Sequence, residues 1–205
     1  MSARLIWITE SAEQIIAYCA RVSSSNQDNP NIKGLLRYCA KHGHWSIFEM
    51  ANMCIEIQTT RAISAQILRH RSFSFQEHSQ RYARVEQDLD IPQLRRQDLK
   101  NRQNSISDLD EELVNELQTE IEDHFKQTKD LYKKLLDKGV AKECSRMVLP
   151  MCSPTRIYMN GSIRSWIHYL QVRTHESTQI EHRAIGLEIK NIFKEQLPII
   201  YEAVF

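Results

Sequence analysis

The stretch from Ala51 to Tyr82, ANMCIEIQTTRAISAQILRHRSFSFQEHSQRY, carries the change of period on which the fold reading turns. In Ala51 to Thr60, Met53, Ile55 and Ile57 alternate with Cys54, Glu56 and Gln58. That is the period of a strand with one wetter face, and it predicts a strand at the edge of a small sheet. From Thr60 to about His70, Ile63, Ile67 and Leu68 with small Ala62 and Ala65 follow helical spacing instead. The helix delivers Arg69, His70 and Arg71 at its C-terminal end, so the basic segment that follows straddles a helix end and a loop.

Toward the N-terminus, residues 4–8 (RLIWI) read as a short strand, and Ser11 opens a helix with Ile15, Ile16 and Cys19 on one side. Pro30 is well placed to start a helix reaching about Lys41, with Gly43 ending it. Toward the C-terminus, residues 86–107 are polar, contain Pro92 and show little periodicity, which predicts a mobile excursion. Ser107 begins a long amphipathic pattern through Leu113, Leu117, Ile121, Phe125 or His124, Thr128, Tyr132 and Leu135, ending at Gly139. A short helix near 141–149, a strand over 155–160 and two helices near 163–173 and 177–196 complete the chain. Several helices with a few separated strands and no regular βαβ alternation predict an α+β fold, a small mixed or antiparallel sheet carrying several long helices.

With 205 residues, 41% of them hydrophobic, the chain is long enough to bury a core and is expected to form a single domain over residues 1–205. A formal net charge of +1 argues against a surface built to attract nucleic acid broadly, so any polyanion site must be local. The opening MSARLIWITESAEQ has an apolar stretch too short for a signal peptide, and no later run is long enough to span a membrane. A cytoplasmic protein, not bound to membrane, is the expectation. The five cysteines, Cys19, Cys39, Cys54, Cys144 and Cys152, contain no CxxC pair and predict reduced, mostly buried thiols. Cys152, in a predicted loop, is the one to weigh as a nucleophile.

Arg69, Arg71 and Arg81, with Ser74, Ser79 and Glu77 between them, form a dense set of fixed donors around one acidic acceptor. Guanidinium forks match phosphate oxygens, and each charge-assisted bond contributes roughly 1.5–3 kcal/mol, so two or three hold a nucleotide. Composition alone leaves other readings open. The segment can be a solvated basic loop. It can also face nucleic acid, with Arg69, Arg71, Arg81 and Arg84 on phosphates and Phe73 and Phe75 stacking on bases. His42, His44 and His78 allow a metal hydrolase, although no acidic or thiolate partner stands at a matching spacing and no metal site is expected. Ser79 has no identifiable general base beside it, which favours binding over nucleophilic attack.

The motif RHR, seven residues, then Ser79, Arg81 and Tyr82 resembles the signature of the flavin-dependent thymidylate synthases of the ThyX type. His42-Gly43-His44-Trp45-Ser46-Ile47-Phe48-Glu49 and Arg146-Met147-Val148-Leu149-Pro150 resemble two further segments of that family, as does the stretch from Arg164 through Arg173 to Glu181. The resemblance implies a methyltransferase and flavoprotein that converts dUMP to dTMP. Its carbon donor is 5,10-methylenetetrahydrofolate, its hydride carrier is FAD reduced by NADPH, and its active sites lie between the subunits of a homotetramer. Carried over by position, Gln66, Arg69, Glu77, His78, Ser79, Gln80, Arg81, Arg146 and Arg173 would bind dUMP, with Arg81 and Arg146 as the phosphate and base contacts. Arg173 matches the catalytic residue that activates the uracil. His44, Ser46, Glu49, Arg69, His70, Arg71, Glu77, Ser162, Arg164 and His168 fall where the family meets FAD. The chain departs from the family at Met50, Gln76, Ser162 and Ser177–Glu181, which touches flavin contacts and leaves Arg69, Arg71, Arg81 and Arg173 in place. No cysteine follows a proline as in the covalent class of thymidylate synthases, which fits the flavin route.

Overall fold

The computed structural model describes residues 1–205. In chain order the elements are β1 (Ser2–Ile8), α1 (Ala12–Ala20), α2 (Ile32–Lys41), β2 (Asn52–Thr60), α3 (Arg61–Ile67), β3 (Ser74–Glu77), β4 (Arg96–Gln97) and β5 (Ser105–Ile106). There follow α4 (Glu111–Asp137), α5 (Lys142–Ser145), β6 (Pro154–Ser162), α6 (Ile163–Arg173), α7 (Ile180–Gln196) and α8 (Pro198–Val204), with 3₁₀ turns at Trp45–Glu49 and Arg146–Val148. The main sheet has four strands in the order β1-β2-β6-β3, and the fold is α+β as the pattern predicts. Two compact units emerge, one made of residues 1–57, 67–76 and 157–205, the other of 58–66 and 77–156.

β2 is an interior strand, not the predicted edge. Its apolar face, Met53, Ile55 and Ile57, is fully buried, and the face read as wet is exposed only at Gln58: Cys54 is buried and Glu56 is 3% exposed. The charge is tolerated there because Arg4 on the neighbouring β1 reaches it, Nη2 to Oε2, at 2.9 Å. Alternation of polarity marked the strand correctly. It could not tell a solvated carboxylate from one neutralised by the next strand.

The first unit's core gathers Ile16, Leu36, Phe48, Ile157, Met159, Trp166, Tyr169, Ile189 and Phe193, all buried. On α1 the buried face is Ala12, Glu13, Ile16 and Ala17, so Ile15, predicted inward, lies outside at 38% exposed. Glu13 is there for α8: its Oε1 accepts from the backbone N–H of Ile200 at 2.8 Å, satisfying an amide in the first turn of that helix. Burial raises the Glu13 carboxyl above its usual range. α8 starts at Pro198 after Leu197, where proline fixes φ and gives up an N–H the helix does not use. It packs on α2, and α7 packs on α6 and β1.

In the second unit α4 starts later than Ser107. Asp110 is the cap, accepting from the N–H groups of Glu112 and Leu113 at 3.0 and 3.2 Å. Gly139, at φ 84°, ends the helix as predicted. The predicted apolar stripe is fully buried only at Thr128 and Tyr132; Leu117, Ile121, Phe125 and Leu135 are half-buried and Leu113 is 41% exposed. The excursion at 86–107 contains structure: β4 and β5 pair antiparallel, Arg96 opposite Ile106 and Gln97 opposite Ser105. Arg96 grips Asp108 through two nitrogens at 2.9 and 2.6 Å. Asp98 holds the turn by accepting from Asn104 Nδ2 and the N–H groups of Lys100 and Asn101, and those bonds hold its carboxyl below the usual range. No helix is long and apolar enough to cross a membrane.

Candidate active site

In the second unit a hub of hydrogen bonds fixes the segment from Glu77 to Tyr82. α3 follows β2 without a loop, and its first two amides, on Arg61 and Ala62, donate to the carbonyls of Ser153 and Met151, both at 2.9 Å. Arg61 then straddles the strand end. Its Nη1 pairs with Glu77 Oε2 at 2.9 Å, and its Nη2 donates to the carbonyl of His78 at 2.9 Å. The other Glu77 oxygen accepts from Ser64 Oγ at 2.6 Å and Thr155 Oγ1 at 2.9 Å. Glu77 is thus filled by three side chains of its own unit and acts on the loop that follows. Sequence reasoning missed Arg61, whose only signal is a lone guanidinium opening an otherwise apolar helix.

Beyond that anchor the chain turns tightly, with the N–H groups of Tyr82 and Ala83 donating to the Ser79 carbonyl at 3.1 and 3.0 Å. The turn sends Gln80 inward, 6% exposed, and leaves Arg81 and Tyr82 outside. Arg81 Nη2 meets Glu143 of α5 at 3.0 Å in a pair whose side chains are 56% and 54% exposed. Such a pair contributes about 0–1 kcal/mol and is easily exchanged for a better anion. Gln80 Nε2 and Arg146 Nε are buried donors with no partner, as is Arg61 Nε. Buried donors are nearly always satisfied, so unpaired ones on two of the predicted nucleotide residues suit a ligand's acceptors. Gln66 sits half-buried in the last turn of α3.

The first unit holds Arg69, His70 and Arg71 in the turn that follows α3, with Arg69 and Arg71 exposed. His70 is half-buried, and its Nε2 accepts from Arg173 Nε at 2.8 Å. Burial first, then the charges of Arg173 and His168, lower its pKa to about 4, so the ring is neutral at pH 7 and free to accept. Its ring stands edge-on to Tyr169, centroids 4.9 Å apart. The Tyr169 hydroxyl meets His182 Nε2 at 3.0 Å. His182 is fully buried, and desolvation brings its pKa to about 3. Burial likewise raises Tyr169 well above the usual phenol range. His182 was not anticipated; its signal is a histidine on the α7 face that carries Ile185, Ile189 and Phe193.

The remaining predicted flavin residues are also in the first unit. Glu49 and Arg164 pair at 2.5 Å on the surface. Ser162 caps α6, its Oγ accepting from the N–H of Ser165 at 3.3 Å, so serine here serves the helix start. His44, Ser46 and His168 are exposed, and the His44 ring lies 5.8 Å from Tyr38. No group of three or more histidine, cysteine or acidic side chains is arranged to hold a metal. All five cysteines are free; Cys39 and Cys54 are buried, Cys144 is exposed, and burial raises the Cys152 thiol, which disfavours the thiolate a nucleophile needs.

Two guanidinium-rich sets, one with unpaired buried donors and one with neutral imidazoles, define a protein suited to phosphorylated heterocycles. Residues 4–199 match the family described as Thymidylate synthase complementing protein. A flavin-dependent thymidylate synthase of Synechocystis sp. is 52% identical over 197 residues, covering 95% of this chain and 90% of that protein. A probable flavin-dependent thymidylate synthase of Paramecium bursaria Chlorella virus 1 is 49% identical over 213 residues, covering 100% of this chain and 99% of the viral one. Among solved structures, the UMP/dUMP methylase PolB of Streptomyces cacaoi bound with 5-Br dUMP superposes with a TM-score of 0.86 at 25% identity, covering 98% of this chain and 93% of PolB. The chain belongs to the family of flavin-dependent thymidylate synthases.

Proposed function

We infer that the protein methylates dUMP at C5 to give dTMP, with FAD as cofactor. The balanced reaction takes dUMP, 5,10-methylenetetrahydrofolate, NADPH and a proton to dTMP, tetrahydrofolate and NADP⁺. The observation that carries the reading is the match over residues 4–199, which takes in every segment that supplies a candidate site residue.

The donor chemistry of the first unit fits a flavin dinucleotide. Guanidinium groups on Arg69, Arg71 and Arg164 suit the pyrophosphate, and imidazoles on His44, His70 and His168 suit the edges of planar rings, with Ser46, Ser162 and Glu49 in support; Glu77, in the second unit, contributes through the loop it anchors. When bound, FAD supplies the hydride that turns a transferred methylene into a methyl group. The chain's own work is binding and electrostatics. Arg81 trades Glu143 for the nucleotide phosphate, and Arg69, Gln66, His78, Ser79, Gln80 and Arg146 hold the rest of dUMP. Arg173 stabilises negative charge at N3 and O2 of the uracil, which raises electron density at C5 for attack on the methylene carbon. An arginine keeps its charge at any working pH, so this assistance needs no proton transfer.

The reading includes folate and NADPH as diffusible partners, a cytoplasmic setting and no role for nucleic acid or membrane. It includes a homotetramer with active sites between subunits, which the half-exposed apolar stripe of α4 supports. The test is a flavin absorbance spectrum of the purified protein joined to tritium release from 5-³H-dUMP. Release that requires both NADPH and methylenetetrahydrofolate is the expected result; a colourless protein that takes up no FAD and releases nothing would sink the reading.

A further inference from the structure

The reach of Arg173 is set from two directions, and one of them is a glycine. Arg173 is the last residue of α6. Gly186, buried on α7, faces its main chain so closely that a Cβ there would lie 3.0 Å from the Arg173 carbonyl oxygen, 3.2 Å from its carbonyl carbon and 3.4 Å from its Cβ. Any side chain at 186 therefore pushes the end of α6 by a few tenths of an ångström. Fraying cannot absorb the push. The carbonyl of Leu170 accepts from both the N–H and the hydroxyl of Thr174, at 3.0 and 2.7 Å, and that of Val172 from the Thr178 hydroxyl at 3.0 Å. Displacement passes to the side chain, which the His70 bond at 2.8 Å holds through Nε alone. That hold fixes the rotation of the guanidinium and leaves its Nη edge to a ligand.

We propose that Gly186 and His70 are positioning residues for Arg173: the bare α-carbon at 186 sets where the end of α6 sits, and the His70 acceptor sets how the guanidinium is turned. The inference rests on the reading of Arg173 as the group that acts on the pyrimidine. A misplacement of about 1 Å costs roughly 100-fold in rate, so a shift of a few tenths costs about fivefold.

The experiment uses the FAD-loaded enzyme. Gly186→Ala is expected to lower kcat/KM for dUMP about fivefold while its flavin spectrum and its NADPH oxidation without nucleotide stay within about twofold of the parent. His70→Gln, which keeps an acceptor, is expected to retain more dUMP methylation than His70→Phe, a comparison that also decides the matter if Gly186→Ala does not fold. Independently of turnover, the ¹⁵N-arginine Nε–H resonance that Arg173→Lys abolishes is expected to move in Gly186→Ala and to lose exchange protection in His70→Phe but not in His70→Gln. The proposal is overturned if that resonance is indifferent to both positions, if kcat/KM is unchanged in Gly186→Ala, or if His70→Gln and His70→Phe behave alike. Parent protein that makes no dTMP, with the resonance responding as described, refutes the reaction and leaves the positioning intact.

Discussion

Replacing Gly161 by alanine puts a methyl group where Phe73 already is. A Cβ on Gly161 would lie 2.4 Å from Cδ1, 2.7 Å from Cε1 and 3.2 Å from Cγ of that ring. Carbon atoms settle at roughly 3.5–4.0 Å, so the ring must retreat by about 1 Å or more. It has little room, because Trp166 stands 4.8 Å from it between centroids, with Tyr169 at 6.0 Å, Phe75 at 6.2 Å and His70 at 6.4 Å. Overpacking of this kind costs about 1–3 kcal/mol, and the enclosure places Gly161→Ala at the upper end. For a chain of this length that lowers Tm by about 6–12 °C, read by calorimetry at one fixed protein concentration because assembly shifts Tm by mass action. Phe73→Leu in the same chain opens space, and the double mutant is expected to recover at least ~1 kcal/mol relative to the sum of the singles. A Gly161→Ala protein within about 0.5 kcal/mol of the parent, or strictly additive singles, refutes the contact as described.

Acid should destabilise the fold through His70 and His182, whose folded pKa values are about 4 and about 3. Below about pH 6.5 the unfolded chain binds protons that the folded chain refuses, so stability falls as pH drops, by up to ~2.7 kcal/mol per unit with both contributing. Urea midpoints across that range measure it, and a flat profile between about pH 6 and about 4 contradicts the assignment. Arg81→Ala is expected to leave Tm unchanged and to raise KM for dUMP about tenfold or more, since an exposed pair is exchanged for one charge-assisted bond to phosphate. Glu143→Ala frees the same arginine and is expected to lower KM; a rise instead shows that Arg81 does not meet the nucleotide. Glu77→Gln, which breaks the pair with Arg61, should cost about 1–3 kcal/mol in denaturant and weaken dUMP binding, and unchanged affinity separates the hub from the loop it anchors.

The strand-then-helix reading of 51–70 survived because both periods are written in long, strongly apolar runs. What failed was everything decided by a distant partner. Glu56 looked solvent-facing until Arg4 is considered, and Ser74–Glu77, with no apolar alternation beyond Phe75, gives no strand signal until β6 lies beside it. β4 and β5, two residues each, are too short for any period, and Asp110 and Ser107 are equally good caps that only the helix itself separates. At the candidate site, the arginines of the signature were legible because guanidinium groups cluster in sequence there. Arg61, His182 and Gly186 were not, since each works through a residue brought near by folding: Glu77, Tyr169 and Arg173 in turn.

The first unit is discontinuous in the chain, closing only when residues 157–205 join residues 1–57. On a ribosome adding 5–20 residues per second, the roughly 100 residues between those pieces take about 5–20 s to make. Through that interval β1 and β2 exist without β6, and the ladder edge of β2 that will meet it, with Met53, Ile55 and Ile57 alongside, is open to any passing strand. The second unit meanwhile has all its residues once Arg156 has emerged. The arrangement that pairs β2 on both edges in the finished protein thus leaves the nascent chain, or a chain cut short before residue 157, with an open apolar strand edge of the kind that aggregates.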